Sequence, residues 1–85
     1  MKTFDYTIKD ALGIHARPAG LLVKAVKASG SSVSITKGEQ TVAADRLLSV
    51  MGMGIRCGDT VTVTVSGGDE EAAAKLLQEF FEKHL

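Results

Sequence analysis

The chain has 85 residues, of which 45% are hydrophobic, and its ten basic and ten acidic side chains cancel to a formal net charge of zero. A chain this long buries about two-thirds of its unfolded surface around one core, so a single domain over residues 1–85 is expected and a second core is excluded. The hydrophobic share excludes a disordered tail, the neutral balance gives no reason to expect nucleic acid or an anionic surface as partner, and no stretch approaches a membrane span, so no membrane insertion is expected.

Phe4, Tyr6 and Ile8 alternate with Thr3, Asp5, Thr7 and Lys9, the period-two pattern of a strand over residues 2–9 with one buried face. From Pro18 to Ala28 the spacing changes to three and four, through Ala19, Leu22, Val23 and Val26, which predicts an amphipathic helix with Pro18 in its first turn and Gly30 at its exit. Val33 and Ile35 alternate again as far as Lys37-Gly38-Glu39-Gln40, whose glycine and polar neighbours predict a hairpin into Thr41–Ala43.

Asp45 is the expected cap of a short helix through Arg46, Leu47, Leu48, Val50 and Met51, which Gly52 and Gly54 should end. Strict alternation returns over Thr60–Ser66, with Val61, Val63 and Val65 on one face. Asp69 then caps a final helix with Glu70 and Glu71 in its first turn and Lys83 and His84 in its last, a charge order that complements the helix dipole. Ala73, Leu76, Leu77, Phe80 and Phe81 form its expected buried stripe. The order βαββαβα, with one apolar face per strand, predicts an α+β fold in which helices cover one side of a mainly antiparallel sheet.

The segment Gly13-Ile14-His15-Ala16-Arg17-Pro18-Ala19 places a histidine just ahead of the first helix and an arginine two residues on. Helix N-termini favour anions, because their first amides lack internal partners and carry partial positive charge, and a guanidinium can bind two phosphate oxygens at once. Neutral imidazole adds a lone pair able to attack phosphorus. The residues alone also fit a histidine that only caps its helix beside a solvated arginine. Arg17, Gly20, Lys24 and Lys27 follow at helical spacing and read either as a basic docking strip for an acidic partner or as an ordinary solvated face. Leu47, Leu48 and Met51, with Met53 and Ile55 beyond, read as core, as an adaptable partner surface, or as a division between the two, and weak self-association around Met51 and Met53 stays open beside an expected monomer.

The lone cysteine, Cys57, and the lack of an apolar block after Met1-Lys2 indicate a cytoplasmic protein, with Cys57 a structural or incidental loop residue. His84 is expected only to complement the helix dipole. No histidine, cysteine or carboxylate cluster has metal-ligand spacing, no glycine loop is suited to a nucleotide, and no carboxylate stands in an obvious relay with His15, so neither a cofactor nor a hydrolytic enzyme is expected.

The segment Gly13–Ala19 resembles the phosphohistidine motif of the HPr family, the phosphocarriers of the bacterial phosphoenolpyruvate-dependent sugar phosphotransferase system. The length, the element order and Val50-Met51-Gly52-Met53-Gly54-Ile55 are similar as well, so the resemblance spans essentially the whole chain. It implies an open-faced β-sandwich of four antiparallel strands and three helices. It also implies a phosphoryl group on Nδ1 of His15, contacted by Arg17, received from phosphorylated enzyme I and passed to IIA components of sugar permeases by a carrier that turns nothing over by itself. Its partner surface maps onto Ala16, Gly20, Lys24, Lys27, Leu47, Leu48 and Met51. One position departs from the pattern: Arg46 stands where many members carry a regulatory serine, which puts kinase control in doubt, leaves Ser49 as an untested neighbour, and suggests that Arg46 reinforces the positive ring around His15. A regulatory module, whose phosphorylation state controls a partner instead of sugar uptake, remains the alternative.

Overall fold

In a computed structural model that describes all 85 residues, the alternating segments form strands β1 (Lys2–Thr7), β2 (Ser32–Lys37), β3 (Gln40–Ala43) and β4 (Thr60–Ser66). The segments of helical spacing form α1 (Ala16–Ser29), α2 (Leu47–Gly52) and α3 (Glu70–His84). The strands make one sheet in the order β1-β4-β2-β3, and every neighbouring pair is antiparallel. The predicted open-faced α+β sandwich and its βαββαβα order are therefore observed.

Because β4 is central, Val63 pairs with Phe4 of β1 on one side and with Ile35 of β2 on the other. Val61, Val63 and Val65 alternate inward with Val33 and Ile35, and all five are buried. The opposite face is lined with hydroxyls: Thr62 donates to Asp5 at 2.7 Å, and Thr36 and Thr41 share a hydrogen bond at 2.9 Å. Such cross-strand pairs hold the register of a face that nothing covers.

Leu22 and Val26 of α1 and Leu77 and Phe81 of α3 close the inner face, each contributing roughly 1.5–3 kcal/mol through burial. Phe81 also meets Phe4 and Tyr6 of β1 edge-on, with ring centroids 5.9 and 5.4 Å apart, which ties α3 to the sheet's edge strand. Asp69 caps α3 as expected, accepting from the Ala72 amide at 3.2 Å, and Gly30 ends α1 in the left-handed conformation at φ 74°.

Several boundaries and burials differ from the sequence reading. Strand β1 ends at Thr7, since the amides of Lys9 and Asp10 turn away to the Leu85 carbonyl. Helix α1 begins two residues early, at Ala16, which makes Pro18 its third residue, where a missing N–H removes only an orphan donor. Asp45 does not cap α2. Ala44 is fully buried and donates to Val33, and Arg46 takes the extended cap conformation, its carbonyl accepting the Val50 amide while no side chain caps the turn. Leu76 does not join the buried stripe of α3 and is 44% exposed. The helix meets the sheet along the i, i+4, i+8 row of Ala73, Leu77 and Phe81, a line too narrow to include its flank.

Candidate functional site

The loop from Ile8 to His15 is pinned from three directions. The Ile8 amide donates to Asp59 at 2.9 Å ahead of β4, the Asp10 amide to Leu85 at 2.8 Å beyond α3, and the Ile14 amide to Ile55 at 3.1 Å after α2. Gly13 makes the close approach possible. Its φ is 67°, and a Cβ there would stand 2.3 Å from the Ile55 carbonyl oxygen. Ile14 is buried, so the next residue, His15, turns outward at the start of α1.

His15 occupies the N-cap position in an extended conformation, and its side chain bonds none of the helix's amides. The Ala19 amide returns to the His15 carbonyl at 2.9 Å and residue 18 is proline, whereas the amides of Ala16 and Arg17 donate to no protein group. The helix mouth thus has two unspent donors beside an uncommitted imidazole, with Arg17 exposed next to them. A shallow cleft of about 240 Å³ opens at this point, lined by Asp10, His15, Arg17, Pro18, Leu21 and His84.

Two of these residues were not expected here. Asp10 Oδ1 lies 3.9 Å from His15 Nε2, so a carboxylate stands beside the ring although the separation exceeds a direct hydrogen bond. His84 is not confined to a dipole role; its ring meets that of Phe80 at a tilt of 40° with centroids 4.6 Å apart and lines the same cleft. Bonds of the Leu12 and Gly13 amides to Asp10 turn its carboxylate back toward His15 within the loop. The bonds of Lys9 and Asp10 to Leu85 bring the end of α3 and with it His84, a proximity that no spacing in the sequence encodes.

Ala16, Arg17, Lys24 and Lys27 are exposed along α1 and Gly20 is half-buried among them, so the spacing does produce one accessible stripe beside His15. On α2 and the segment that follows it the apolar residues divide. Val50, Met53 and Ile55 belong to the core, while Leu47, Met51 and above all Leu48, at 84% exposure, face outward with Arg46. Burial of Met53 removes it from any self-association surface. Cys57 is an exposed loop residue whose thiol donates to the Lys9 carbonyl at 3.7 Å.

Below the loop, Lys37 Nζ lies 2.9 Å from Asp59 Oδ2, which also accepts the Arg56 amide at 2.8 Å. These bonds, led by that from Lys37, hold the Asp59 carboxyl below the usual carboxylate range. The bridge fixes the segment that supplies the carbonyls of Ile55 and Asp59 to the His15 loop.

Residues 2–83 match the family model described as the PTS HPr component phosphorylation site. Phosphocarrier protein HPr of Lysinibacillus sphaericus is 40% identical over 77 residues, which is 91% of this chain and 88% of that protein. The protein of the same name from Mycoplasma genitalium is 33% identical over 85 residues, 99% of this chain and 97% of its own. Crystalline HPr from Thermoanaerobacter tengcongensis superimposes with a TM-score of 0.92 at 34% identity, covering 98% of this chain and 93% of that one.

Proposed function

Since the chain belongs to the HPr family of phosphocarrier proteins, we propose that it accepts a phosphoryl group on His15 from phosphorylated enzyme I and passes it to IIA components of sugar permeases. The observation that carries this reading is the uncapped imidazole of His15, open to solvent beside the free amides of Ala16 and Arg17. An imidazole lone pair attacks the donor's phosphorus in line. The amides and the Arg17 guanidinium then take the phosphoryl oxygens, in a site water still reaches. That openness suits a carrier, which must give up its cargo.

Docking would use the exposed stripe of Ala16, Gly20, Lys24 and Lys27 together with Arg46, Leu47, Leu48 and Met51. Apolar anchors ringed by cations fit an acidic partner face. Incubation with enzyme I and phosphoenolpyruvate should raise the intact mass by one phosphoryl group in the natural protein and not in His15→Ala. Later addition of a IIA protein should remove it. No mass change with a competent donor would refute the proposal, and loading without onward transfer would favour the regulatory alternative.

A further inference from the structure

We infer that Asp10 is a positioning residue for His15: its carboxylate holds the ring proton on Nε2 and so leaves the lone pair on Nδ1 to take the phosphoryl group. The functional consequence rests on the phosphocarrier reading, whereas the protonation state it specifies does not.

The carboxylate is fixed by its own loop. Asp10 Oδ1 accepts the Leu12 amide at 2.9 Å, the Asp10 carbonyl accepts the Gly13 amide at 2.9 Å, and the Asp10 amide donates to Leu85 at 2.8 Å. The same Oδ1 lies 3.9 Å from His15 Nε2, longer than a direct hydrogen bond, so the two are coupled through charge. Among the groups lining the cleft, Arg17 from α1 is a cation, His84 from α3 a second imidazole, and Asp10 the only carboxylate.

A neutral imidazole has two tautomers, and the one with N–H toward a carboxylate is favoured over the one that points a lone pair at it. With Nε2 facing Asp10, Nδ1 becomes the nucleophile. The same negative charge repels a phosphoryl dianion from Nε2. During transfer a P–N bond forms at Nδ1 while the donor's P–N bond breaks and its electron pair returns to the donor ring. His15 keeps its Nε2 proton and becomes a phosphorylated imidazolium, as the donor's phosphorylated imidazolium becomes neutral imidazole. Asp10 thus faces the ring that gains positive charge, and it acts without touching the phosphoryl group.

Long-range proton–nitrogen spectra of His15 test this in the protein as it stands. They should place the proton of the neutral ring on Nε2, and a proton on Nδ1 overturns the inference. Asp10→Asn retains an oxygen for the Leu12 amide while removing the charge. It should lower the ratio of Nε2–H to Nδ1–H tautomer roughly two-fold, the order expected when one carboxylate charge acts on the dipole of a neutral ring at this distance, with the backbone spectrum otherwise retained. An unchanged ratio in a folded Asp10→Asn protein overturns the inference. Loading from enzyme I should slow in the same variant. If the natural protein fails to load at all, the phosphocarrier reading falls while the spectra still decide the role of Asp10.

Discussion

Gly13 and Ile55 meet backbone to backbone: the glycine's missing side chain leaves room for the Ile55 carbonyl, which accepts the amide of Ile14 at 3.1 Å. One contact therefore joins the end of the α2 segment to the loop that presents His15.

Gly13→Ala should be among the most damaging single-methyl changes in the chain. Its φ of 67° is unfavourable for any side chain, and the new Cβ would meet Ile55 O at 2.3 Å and Arg56 Cα at 2.7 Å, both backbone atoms with little room to yield. Left-handed strain of about 1–2 kcal/mol adds to this overlap, so urea unfolding should show a loss of about 2 kcal/mol or more. A loss under about 0.5 kcal/mol would mean that the loop relaxes freely and that the contact does not fix His15.

Arg17→Ala should slow phosphoryl loading roughly ten-fold or more, the size of one lost hydrogen bond to a charged group, while unfolding stability stays within about 0.5 kcal/mol because Arg17 is exposed. Arg17→Lys should recover only part of the rate, since an ammonium cannot take two oxygens in one plane. Stopped-flow loading curves for the three proteins check this, and equal rates would remove Arg17 from the site.

Leu48 and Val50 separate binding from folding. Leu48→Ala should leave stability almost unchanged, given 84% exposure, and weaken association with enzyme I by about 1 kcal/mol or more. Val50→Ala opens the core beside it and should lower unfolding stability by about 1–3 kcal/mol. Calorimetric titration and denaturation on both variants should give opposite patterns; a stability loss in Leu48→Ala matching that of Val50→Ala would assign Leu48 to the core.

Asp59 governs part of the acid response. Its folded-state pKa is depressed, first by the hydrogen bond from Lys37 and then by the Arg56 amide, so its stabilisation is present above the unfolded value of about 4 and is lost as pH falls through the lower folded value. Asp59→Asn should make the decline of stability below about pH 4 shallower. Glu70, whose carboxyl is also held low, foremost by the terminal ammonium and then by the Gly67 amide, should preserve a residual slope. Melting temperatures across that range check the change, and an unaltered slope would show that the Lys37–Asp59 bridge carries no linkage.

Period and punctuation made most of the fold legible. Strict alternation located β4 to the residue, and Asp69 followed by acidic residues located the start of α3. The helix that carries the site was visible, as was the histidine at its mouth. What the sequence could not convey was narrower. Asp45 is a good capping residue, yet burial of Ala44 sets the chain's direction there and moves the cap to Arg46. Asp10 is turned toward His15 by the Leu12 and Gly13 amides of its own loop, and His84 reaches the cleft because the backbone of residues 9 and 10 bonds to Leu85. No local pattern records a meeting between the start and the end of a chain.

Serine, threonine or aspartate at position 15 would bond the first amides of α1 and strengthen the helix by about 1 kcal/mol; histidine forgoes that gain. Because the imidazole contributes nothing to closing its own helix, altering its charge and bulk disturbs no bond on which α1 depends. Loading adds bonds to the open amides of Ala16 and Arg17 and breaks none within α1, so the loaded protein should melt at or above the temperature of the empty one. The carrier's cargo tightens the helix that its bare histidine leaves unclosed.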